Sequence, residues 1–466
     1  MHDRSPARAV ASHTAALAIG AALALLVTPL AAAAQEAAPA TAPPPEPGLL
    51  ERDRLTGDWG GARTWLESRG VTLGASWTGE VLGNASGGLK QGTVYDGVVE
   101  AEVDFDFEKL FDWKGVTLHA SGYWIQGRGL STYYVGNLLT VSSIEATAAW
   151  RLNEVYLEQS LFDDTLSVRA GQIAADTEFW ISDTAGLFIN STFGWPGING
   201  TDLPGGGPSY PLPTPGVRVQ WAPDDAWTVR GALYNGNPEG ADGNTNGLEF
   251  PTDQDVFAIL EGAYAYAPKD GLAGTWTVGA WYNSEDFDNL SVARNGRSLA
   301  SPRARGGPRQ ESGDHALYAM VDHQLWRTPG TDDGGLSGFF RVAVTPQQDR
   351  NPISFYVDTG LAFKGPLPGR DDDIVGVAFA LADMSPDLAD LARRTNRVNG
   401  VRGPIPDYEA VIEATYQIAA TPWLSVQPFA QYVFHPGGNV ANPNGTRPTV
   451  ALKDAAVFGV RSGVTF

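Results

Sequence analysis

The sequence contains no cysteine, which excludes a disulfide framework and a thiolate metal site. Positive charge is scarce, because 32 Lys and Arg face 53 Asp and Glu, a formal net charge of −21. Since phosphate binding needs a cationic surface, this balance disfavours nucleic acid as a partner. Beyond the first 34 residues no run of 18 apolar residues occurs, which excludes transmembrane helices.

The N-terminus predicts export. Arg4 and Arg8 precede an apolar stretch over residues 15–27, and an alanine triplet at 32–34 offers a cleavage site. This order is typical of a secretory signal peptide, and an uncleaved signal anchor is the alternative. We therefore predict a signal peptide over 1–34, a Pro/Ala-rich segment over 35–54 and one folded domain over 55–466.

The stretch VVEAEVDFDFEKLFDW at 98–113 alternates between apolar and acidic residues. Val103 and Phe105 are on the apolar side, and the other side carries five acids, Glu100, Glu102, Asp104, Asp106 and Glu108. A period of two is typical of a β-strand, whose successive side chains leave opposite faces. One face of this strand is therefore apolar and the other carries a column of carboxylates.

Similar patterns predict sixteen strands after Gly70. They lie near 71–82, 95–109, 115–126, 150–160, 165–175, 216–222, 227–236, 254–267, 274–284, 314–327, 337–346, 352–364, 373–382, 406–419, 423–435 and 454–466. Helices are predicted only near 58–69, with Asp58 as cap, and over 386–394, where Ser385 is the N-cap and Pro386 the first residue.

Short connectors alternate with long ones, which include 127–149, 176–215, 285–313, 383–405 and 436–453. An even number of strands, short turns at one rim and long loops at the other are typical of an outer-membrane barrel. We therefore predict an all-β fold, a 16-stranded antiparallel transmembrane β-barrel with a short N-terminal helix. A soluble β-sandwich with one acidic face is the alternative.

The last strand, DAAVFGVRSGVTF, is amphipathic and ends in an aromatic residue, Phe466. This is like the C-terminal strand that the barrel-assembly machinery recognises. The pattern predicts this machinery and the lipid of a Gram-negative outer membrane as partners, and leaves monomer and homotrimer open.

Four motifs resemble the carbohydrate-selective porin family typified by OprB. They are LTGDWGGAR (55–63), DFEKLFDWKG (106–115), FINSTFGWP (188–196) and WLSVQPFAQYVFHPGG (423–438), in the family's order. The resemblance implies a 16-stranded barrel that passes sugars across the outer membrane. Phe429 stands where the family pattern has Asp, and Pro428 on the other face predicts a bulge.

A sugar-selective pore needs polar groups that replace water at the hydroxyls and aromatic faces along the path, with weak binding. Its candidates are three acids, three arginines and residues of the long third loop, where we place the constriction. They are Glu102, Asp104, Asp106, Arg169, Arg218, Arg230, Phe179, Trp180, Asn190, Phe193 and Trp195. Alternatively, the acids only hydrate the wall, the arginines brace it, and the tryptophans pack the loop.

Enzyme signatures are absent from the sequence. Its histidines are scattered without metal-ligand spacing, and no G-x-S-x-G motif occurs, so we predict no catalytic residue, metal or cofactor. The predicted function is a sugar-selective diffusion porin. The alternatives are a general or cation-preferring porin without a sugar site and a secreted sugar-binding or sugar-cleaving β protein.

Overall fold

The computed structural model describes residues 47–238, 244–252, 255–267, 271–331, 333–445 and 449–466. The predicted signal peptide and residues 35–46 lie outside the described residues. Sixteen strands, each antiparallel to its neighbours, form one closed barrel in which the first strand pairs with the last. The predicted fold class is therefore confirmed.

The strands are β1 (Val71–Ser86), β2 (Gly92–Asp106), β3 (Val116–Gly127), β4 (Ala149–Leu161), β5 (Leu166–Ile173), β6 (Thr214–Trp221), β7 (Trp227–Asn235), β8 (Val256–Tyr266), β9 (Gly274–Ala293), β10 (Pro308–Arg327), β11 (Gly335–Val344), β12 (Ile353–Lys364), β13 (Ile374–Met384), β14 (Tyr408–Thr421), β15 (Leu424–Phe434) and β16 (Ala455–Thr465).

Both predicted helices are present. In front of α1 (Ala62–Ser68) the carboxylate of Asp58 accepts from Thr64 N (2.8 Å). In front of α4 (Pro386–Asn399) Ser385 Oγ accepts from Asp387 N (3.2 Å), as an N-cap does. Among the described residues, no helix has the length and hydropathy that crossing a membrane requires.

Three further short helices were not predicted. They are α2 (Phe107–Phe111), α3 (Gly197–Asp202) and α5 (Pro436–Asn439). Single turns of 3-10 helix occur at Trp59–Gly61, Ala185–Leu187, Ser191–Phe193 and Pro204–Gly206, and a π turn at Ser131–Val135. Segments this short show no helical periodicity in the sequence. Contacts with the surrounding structure stabilise them, because the helix propensity of so few residues is not sufficient.

The side chains of β2 alternate between the two faces of the barrel wall. Tyr95 is 42% exposed and pairs with Val81, which is 55% exposed, so odd positions face outward. Even positions such as Asp96 are buried and face inward. Val103 and Phe105 therefore lie on the outer face, whereas Glu102 and Asp104 lie on the inner face.

The predicted second strand, which was extended to residue 109, is too long. The strand ends at Asp106, whose carboxylate accepts from Glu108 N (3.0 Å) and Lys109 N (3.3 Å) and so caps α2. Asp106 is therefore a helix cap at the short-turn rim, and Glu108 is not part of the acidic face. An Asp side chain can accept from the backbone N–H groups of a following helix, so an Asp in an alternating pattern can end the strand instead of continuing it.

The predicted connector 285–313 is wrong in length. Most of it extends β9 and β10 into a hairpin of two 20-residue strands, which leaves only residues 294–307 as its tip.

The bulge predicted at Pro428 is absent. Thr415 pairs with Phe429 and Ile418 with Val426, so the register of β14 and β15 is the same on both sides of Pro428.

Two connectors of the long-loop rim fold into the barrel. Loop 2 (residues 128–148) and loop 3 (residues 174–213) pair through Ser143 N to Ile189 O (2.9 Å) and Ser191 N to Thr140 O (3.0 Å). Ile189 is fully buried, and the apolar core joins both loops to inward-facing wall residues such as Leu82. The core thus fills part of the lumen.

The inward and outward positions of β2 can be tested by labelling, because the chain has no native cysteine. We expect Glu102→Cys in a bilayer to react with a water-soluble maleimide and Val103→Cys to stay unreacted. Both variants should react equally after unfolding. The opposite pattern would mean a register shifted by one residue, which exchanges the two faces.

Candidate functional site

The acidic column on the inner face of β2 consists of Glu100, Glu102 and Asp104. Glu102 is exposed, and its side chain lies over Gly74 of β1. Asp104 bonds to His119 Nδ1 (2.8 Å). Among the described residues, no Lys or Arg nitrogen lies within 4.0 Å of any of the three carboxylates, and His119 is the partner of Asp104.

The three predicted arginines come together on neighbouring strands around Glu178 of loop 3. The Glu178 carboxylate lies 2.7 Å from Arg169 Nη1, 3.1 Å from Arg218 Nε and 3.9 Å from Arg230 Nε. Glu158 of β4 bonds to Arg169 (2.8 Å) and Arg218 (2.9 Å). The cluster therefore braces loop 3 against the wall, and each of its arginines lies within 4.0 Å of a carboxylate.

A strip of side chains connects the acidic column to the arginine cluster. His119 stacks on Tyr156 with ring centroids 4.9 Å apart, and the Arg169 guanidinium lies 4.0 Å from the centroid of the same ring. We call the inner-face residues Glu102, Asp104, His119, Tyr156, Arg169 and Arg230 the polar strip. It runs from β2 to β7 with negative charge at one end and arginine at the other.

The aromatic residues predicted for the constriction are mostly buried. Phe179, Trp180 and Phe193 are at most 2% exposed, and only Trp195 is partly exposed, with its Nε1 donating to Gly206 O (2.8 Å). Trp180 stacks on Tyr318 of β10 with ring centroids 3.8 Å apart. Their packing attaches loop 3 to the wall, and a constriction at this loop stays a prediction.

The backbone of Trp180 is fixed at both of its polar groups. Its φ of +64° is unfavourable for a residue with a side chain. Glu261 accepts from Trp180 N (3.1 Å), and Arg341 Nη1 donates to Trp180 O (3.3 Å). These charged partners offset the cost of the left-handed conformation.

Arg341 and Asp358 form an ion pair that is fully buried between the wall and loop 3. Arg341 Nε lies 3.0 Å from Asp358 Oδ1, and the guanidinium also donates to Thr192 O (2.8 Å) and Gly194 O (3.0 Å). Tyr356 Oη completes the group at 2.7 Å from Asp358. Breaking such a pair leaves an uncompensated buried charge, so its removal is strongly destabilising.

Five inward-facing carboxylates, here called the wall carboxylates, accept backbone N–H groups from the loops. Glu154 accepts from Ala174 N (2.8 Å), Glu261 from Trp180 N (3.1 Å), Asp322 from Thr184 N (3.0 Å), Glu409 from Leu139 N (2.6 Å) and Glu413 from Ile189 N (2.7 Å). Loop N–H groups that would be buried without partners are thereby satisfied.

Asn190 is also buried and links loop 3 to loop 2 and to the wall. Its Nδ2 donates to Leu139 O (3.0 Å) and to Gln431 Oε1 (3.2 Å). Phe429 is 5% exposed and belongs to the apolar core, and Gln427 donates to Leu187 O (2.8 Å). The inner face of β15 is therefore covered by loops at Gln427 and Gln431, and Phe429 between them is part of the apolar core.

Carboxylates within the loops are buried as well. Burial raises the pKa of Glu145 to about 7, opposed by hydrogen bonds from Ser131 and increased further by the charge of Glu80. Burial likewise raises the pKa of Asp176 to about 6, although Tyr210 N donates to it (2.9 Å). Within the described ranges, no group of three or more His, Asp or Glu could hold a metal ion.

Sequence reasoning missed the residues that hold the loops. The wall carboxylates and the Arg341–Asp358 pair were not among the candidates, nor was Tyr156. The detectable signal was a charged residue at an inward position of an otherwise apolar strand, as at Glu409 and Glu413. That signal gives the face of the strand but not the loop that binds there.

Comparisons place this architecture among known proteins. A sequence model described as "Carbohydrate-selective porin, OprB family" matches residues 90–466. Porin B of Pseudomonas aeruginosa is 27% identical over 412 residues, 82% of this chain and 87% of that protein. The putative porin QuiX of Acinetobacter baylyi is 22% identical over 433 residues, 83% of this chain and 90% of that protein.

Solved structures show the same fold. The high-pH structure of Pseudomonas putida OprB matches with a TM-score of 0.80 at 23% identity, over 90% of this chain and 100% of that one. The low-pH structure of Pseudomonas putida OprB matches with a TM-score of 0.54 at 18% identity, over 89% and 99%.

The role of the wall carboxylates can be tested with Glu413→Gln. The amide places its NH₂ group beside a loop N–H, which then has no acceptor. We therefore expect the free energy of loop docking to be less favourable by about 2 kcal/mol. Loop 3 should then be cleaved by chymotrypsin in channels whose barrel stays folded and heat-modifiable. Glu108→Gln at the short-turn rim is the matched control. Equal protection of both variants would contradict this role.

The raised pKa of Glu145 predicts a pH dependence of stability. The folded carboxyl titrates at about 7 and an unfolded one at about 4.3, so folding takes up protons between these values and stability falls as pH rises through that window. Glu145→Gln should be more stable than the unsubstituted protein at pH 8, by roughly 3 to 4 kcal/mol, and nearly equal to it at pH 4. Urea unfolding at both pH values measures this difference. An equal difference in unfolding free energy at pH 4 and pH 8 would show that the charge of Glu145 does not cause it.

Proposed function

Because this chain belongs to the carbohydrate-selective porin (OprB) family, it is an outer-membrane channel that passes sugars, and we propose that sugars travel along the polar strip. The family is one of channels rather than enzymes. The observation that carries the proposed path is the continuity of the strip from Glu102 to Arg230, with carboxylates, an aromatic ring and guanidinium groups in sequence along one side of the lumen.

The chemistry of the strip suits a polyhydroxylated solute. Carboxylates accept hydrogen bonds from sugar hydroxyls, and arginines donate hydrogen bonds to the same hydroxyls. Both ends of the strip can therefore replace the water molecules that hydrate a sugar. Arg230 is the arginine best placed for this role, because its side chain is 28% exposed whereas that of Arg218 is 3% exposed. Arg218 acts by holding Glu178, and hence loop 3, in place.

Loop 3 forms the constriction in this proposal. Support comes from its attachment on several sides of the lumen, since Glu178 binds the arginines of β5 to β7, Arg341 on β11 binds three of its carbonyls, and Glu413 on β14 binds two of its N–H groups. A loop attached at these points narrows the channel permanently and is not a moving gate. Phe179, Trp180, Asn190 and Phe193 contribute by packing, and Trp195 by its partly exposed ring.

Export and assembly are part of the same proposal. Residues 1–34 act as a cleaved signal peptide, which the order of basic, apolar and alanine segments supports. The strand β16 pairs with β1 at the seam, and Phe466, the residue after it, donates its N–H to Ala75 O (2.9 Å). In this proposal β16 is the strand that the assembly machinery recognises.

The path can be tested with Arg230→Gln, which keeps a polar side chain but removes the charge and most donors. Losing one hydrogen bond of about 1 kcal/mol should weaken hexose block of single-channel current roughly fivefold. Arg128→Gln, an exposed arginine that stacks on Tyr133, is the matched control. Unchanged block in both variants would remove Arg230 from the path. An unsubstituted channel that no sugar blocks would favour a general porin instead.

A further inference from the structure

Two buried side chains near the long-loop rim each have an oxygen without a hydrogen-bond partner. Asn351, in the β11–β12 connector, donates from its Nδ2 to Asp314 Oδ1 of β10 (2.9 Å). Both residues are 0% exposed, and the other oxygens of the pair, Asp314 Oδ2 and Asn351 Oδ1, accept no hydrogen bond from the described residues. Buried oxygens of this kind are costly unless something binds them.

A glycine bulge positions Asp314 in the barrel wall. The pairing of β10 with β9 changes register between Ser312 and Asp314, and Gly313 between them has a φ of +71°. Glycine adopts this left-handed conformation readily, and a bulge re-aims the side chains next to it. Arg350 Nη1 donates to Ser312 O (3.0 Å) and to Gly313 O, which stabilises the bulge. The burial of Asp314 is therefore built into the backbone of β10.

Asp202, the last residue of α3, brings a second carboxylate from loop 3. Its Oδ1 accepts from Ile353 N (3.0 Å), two residues after Asn351. The two carboxylates are thus bound to groups that are about 7 Å apart along the backbone. Burial raises the pKa of Asp202 well above its usual range, the charge of Asp314 raises it further, and the bond from Ile353 N opposes both.

The hydroxyl of Thr345 is a further oxygen beside Asp202. Thr345 Oγ1 lies 2.6 Å from Ile353 O and 3.4 Å from Asp202 Oδ2. A hydroxyl has one proton, and the shorter contact, to the carbonyl, uses it. The lone pairs of Thr345 Oγ1 therefore face Asp202 Oδ2, so that two acceptors lie together without a donor between them.

The protein does not supply a cationic partner for these two acids. Among the described residues, no Lys or Arg nitrogen lies within 4.0 Å of a carboxylate oxygen of Asp202 or Asp314. Arg350, which holds the bulge, pairs with Asp349 (3.0 Å) instead. Since buried charges in proteins are paired or coordinate metals, two buried carboxylates surrounded by further oxygens indicate a bound cation.

We propose that Asp202, Asp314, Asn351 and Thr345, here called the oxygen site, bind one calcium ion between loop 3 and the wall. Calcium takes six to eight oxygen ligands in flexible geometry, and water can complete the set, whereas magnesium demands a near-ideal octahedron. Two carboxylates predict weak binding, with a Kd of about 10⁻⁴ to 10⁻³ M, as in extracellular calcium modules. The ion links α3 of loop 3 to β10 and to the β11–β12 connector, whose Pro346 and Gln348 are exposed at the long-loop rim.

The experiment is calorimetric titration of the full chain in detergent with CaCl₂, after EDTA has been added and removed. The test variant carries Asp202→Asn and Asp314→Asn. The matched control carries Asp286→Asn and Asp288→Asn, which remove two exposed acids of the β9–β10 hairpin and the same net charge. We expect the unsubstituted chain and the control to bind one calcium ion with the same Kd, and the test variant to lose this binding.

Hydrogen exchange locates the bound ion. A ligand that binds only the docked form of loop 3 lowers the open fraction by a factor of 1 + [L]/Kd. At a calcium concentration of about ten times Kd, the N–H of Ile353 should therefore exchange about tenfold more slowly than in EDTA. An exchange rate at Ile353 that calcium does not change would overturn the assignment to the oxygen site.

Asn351→Asp distinguishes calcium from a proton held between Asp314 and Asn351. A third carboxylate strengthens a calcium site, so we expect the Kd to fall about tenfold. If a proton on Asp314 takes the place of the metal, the unsubstituted chain shows no saturable calcium binding and the third carboxylate only destabilises it. That result, or binding that persists in the variant with Asp202→Asn and Asp314→Asn, would overturn the proposal.

Discussion

A loop of some forty residues can lie inside a barrel only if its backbone polar groups find partners there. In this protein the wall supplies many of them as side chains: carboxylates accept from the N–H groups, and Arg230, Arg341 and Gln427 donate to the carbonyls. Glu413 receives two adjacent N–H groups, and Arg341 donates to three carbonyls. The apolar core, the attachment of loop 3 and the remaining width of the lumen all depend on these bonds.

The same chain uses its charges in two different ways. Where carboxylate and guanidinium lie together, as around Glu178 or between Arg341 and Asp358, they position backbone and cancel each other's field. Where a carboxylate has no cationic partner within 4.0 Å among the described residues, as at the exposed Glu102 of the acidic column, its field extends into the water of the channel.

Much of the fold could be predicted from the sequence, because strand alternation is a local signal. The sixteen strands, the closed barrel and the helix after Ser385 follow from patterns within a dozen residues. Local patterns could not give the end of β2, where Asp106 caps a helix, or the burial of Trp180 and Phe193. Their burial depends on Tyr318 and Phe339, which lie more than a hundred residues away in sequence. Within the candidate site, the sequence could indicate that Arg169, Arg218 and Arg230 face the lumen, but not that a glutamate from loop 3 joins them.

The position of Arg341 sets an order for folding. Loop 3 lies between β5 and β6, yet its carbonyls bind an arginine on β11, and its N–H groups bind Glu413 on β14, 224 residues from Ile189. Closing chain segments of that length is entropically costly until the strands between them have paired. Loop 3 therefore docks late. Until it docks, the lumen of a newly inserted barrel is wider than in the folded protein.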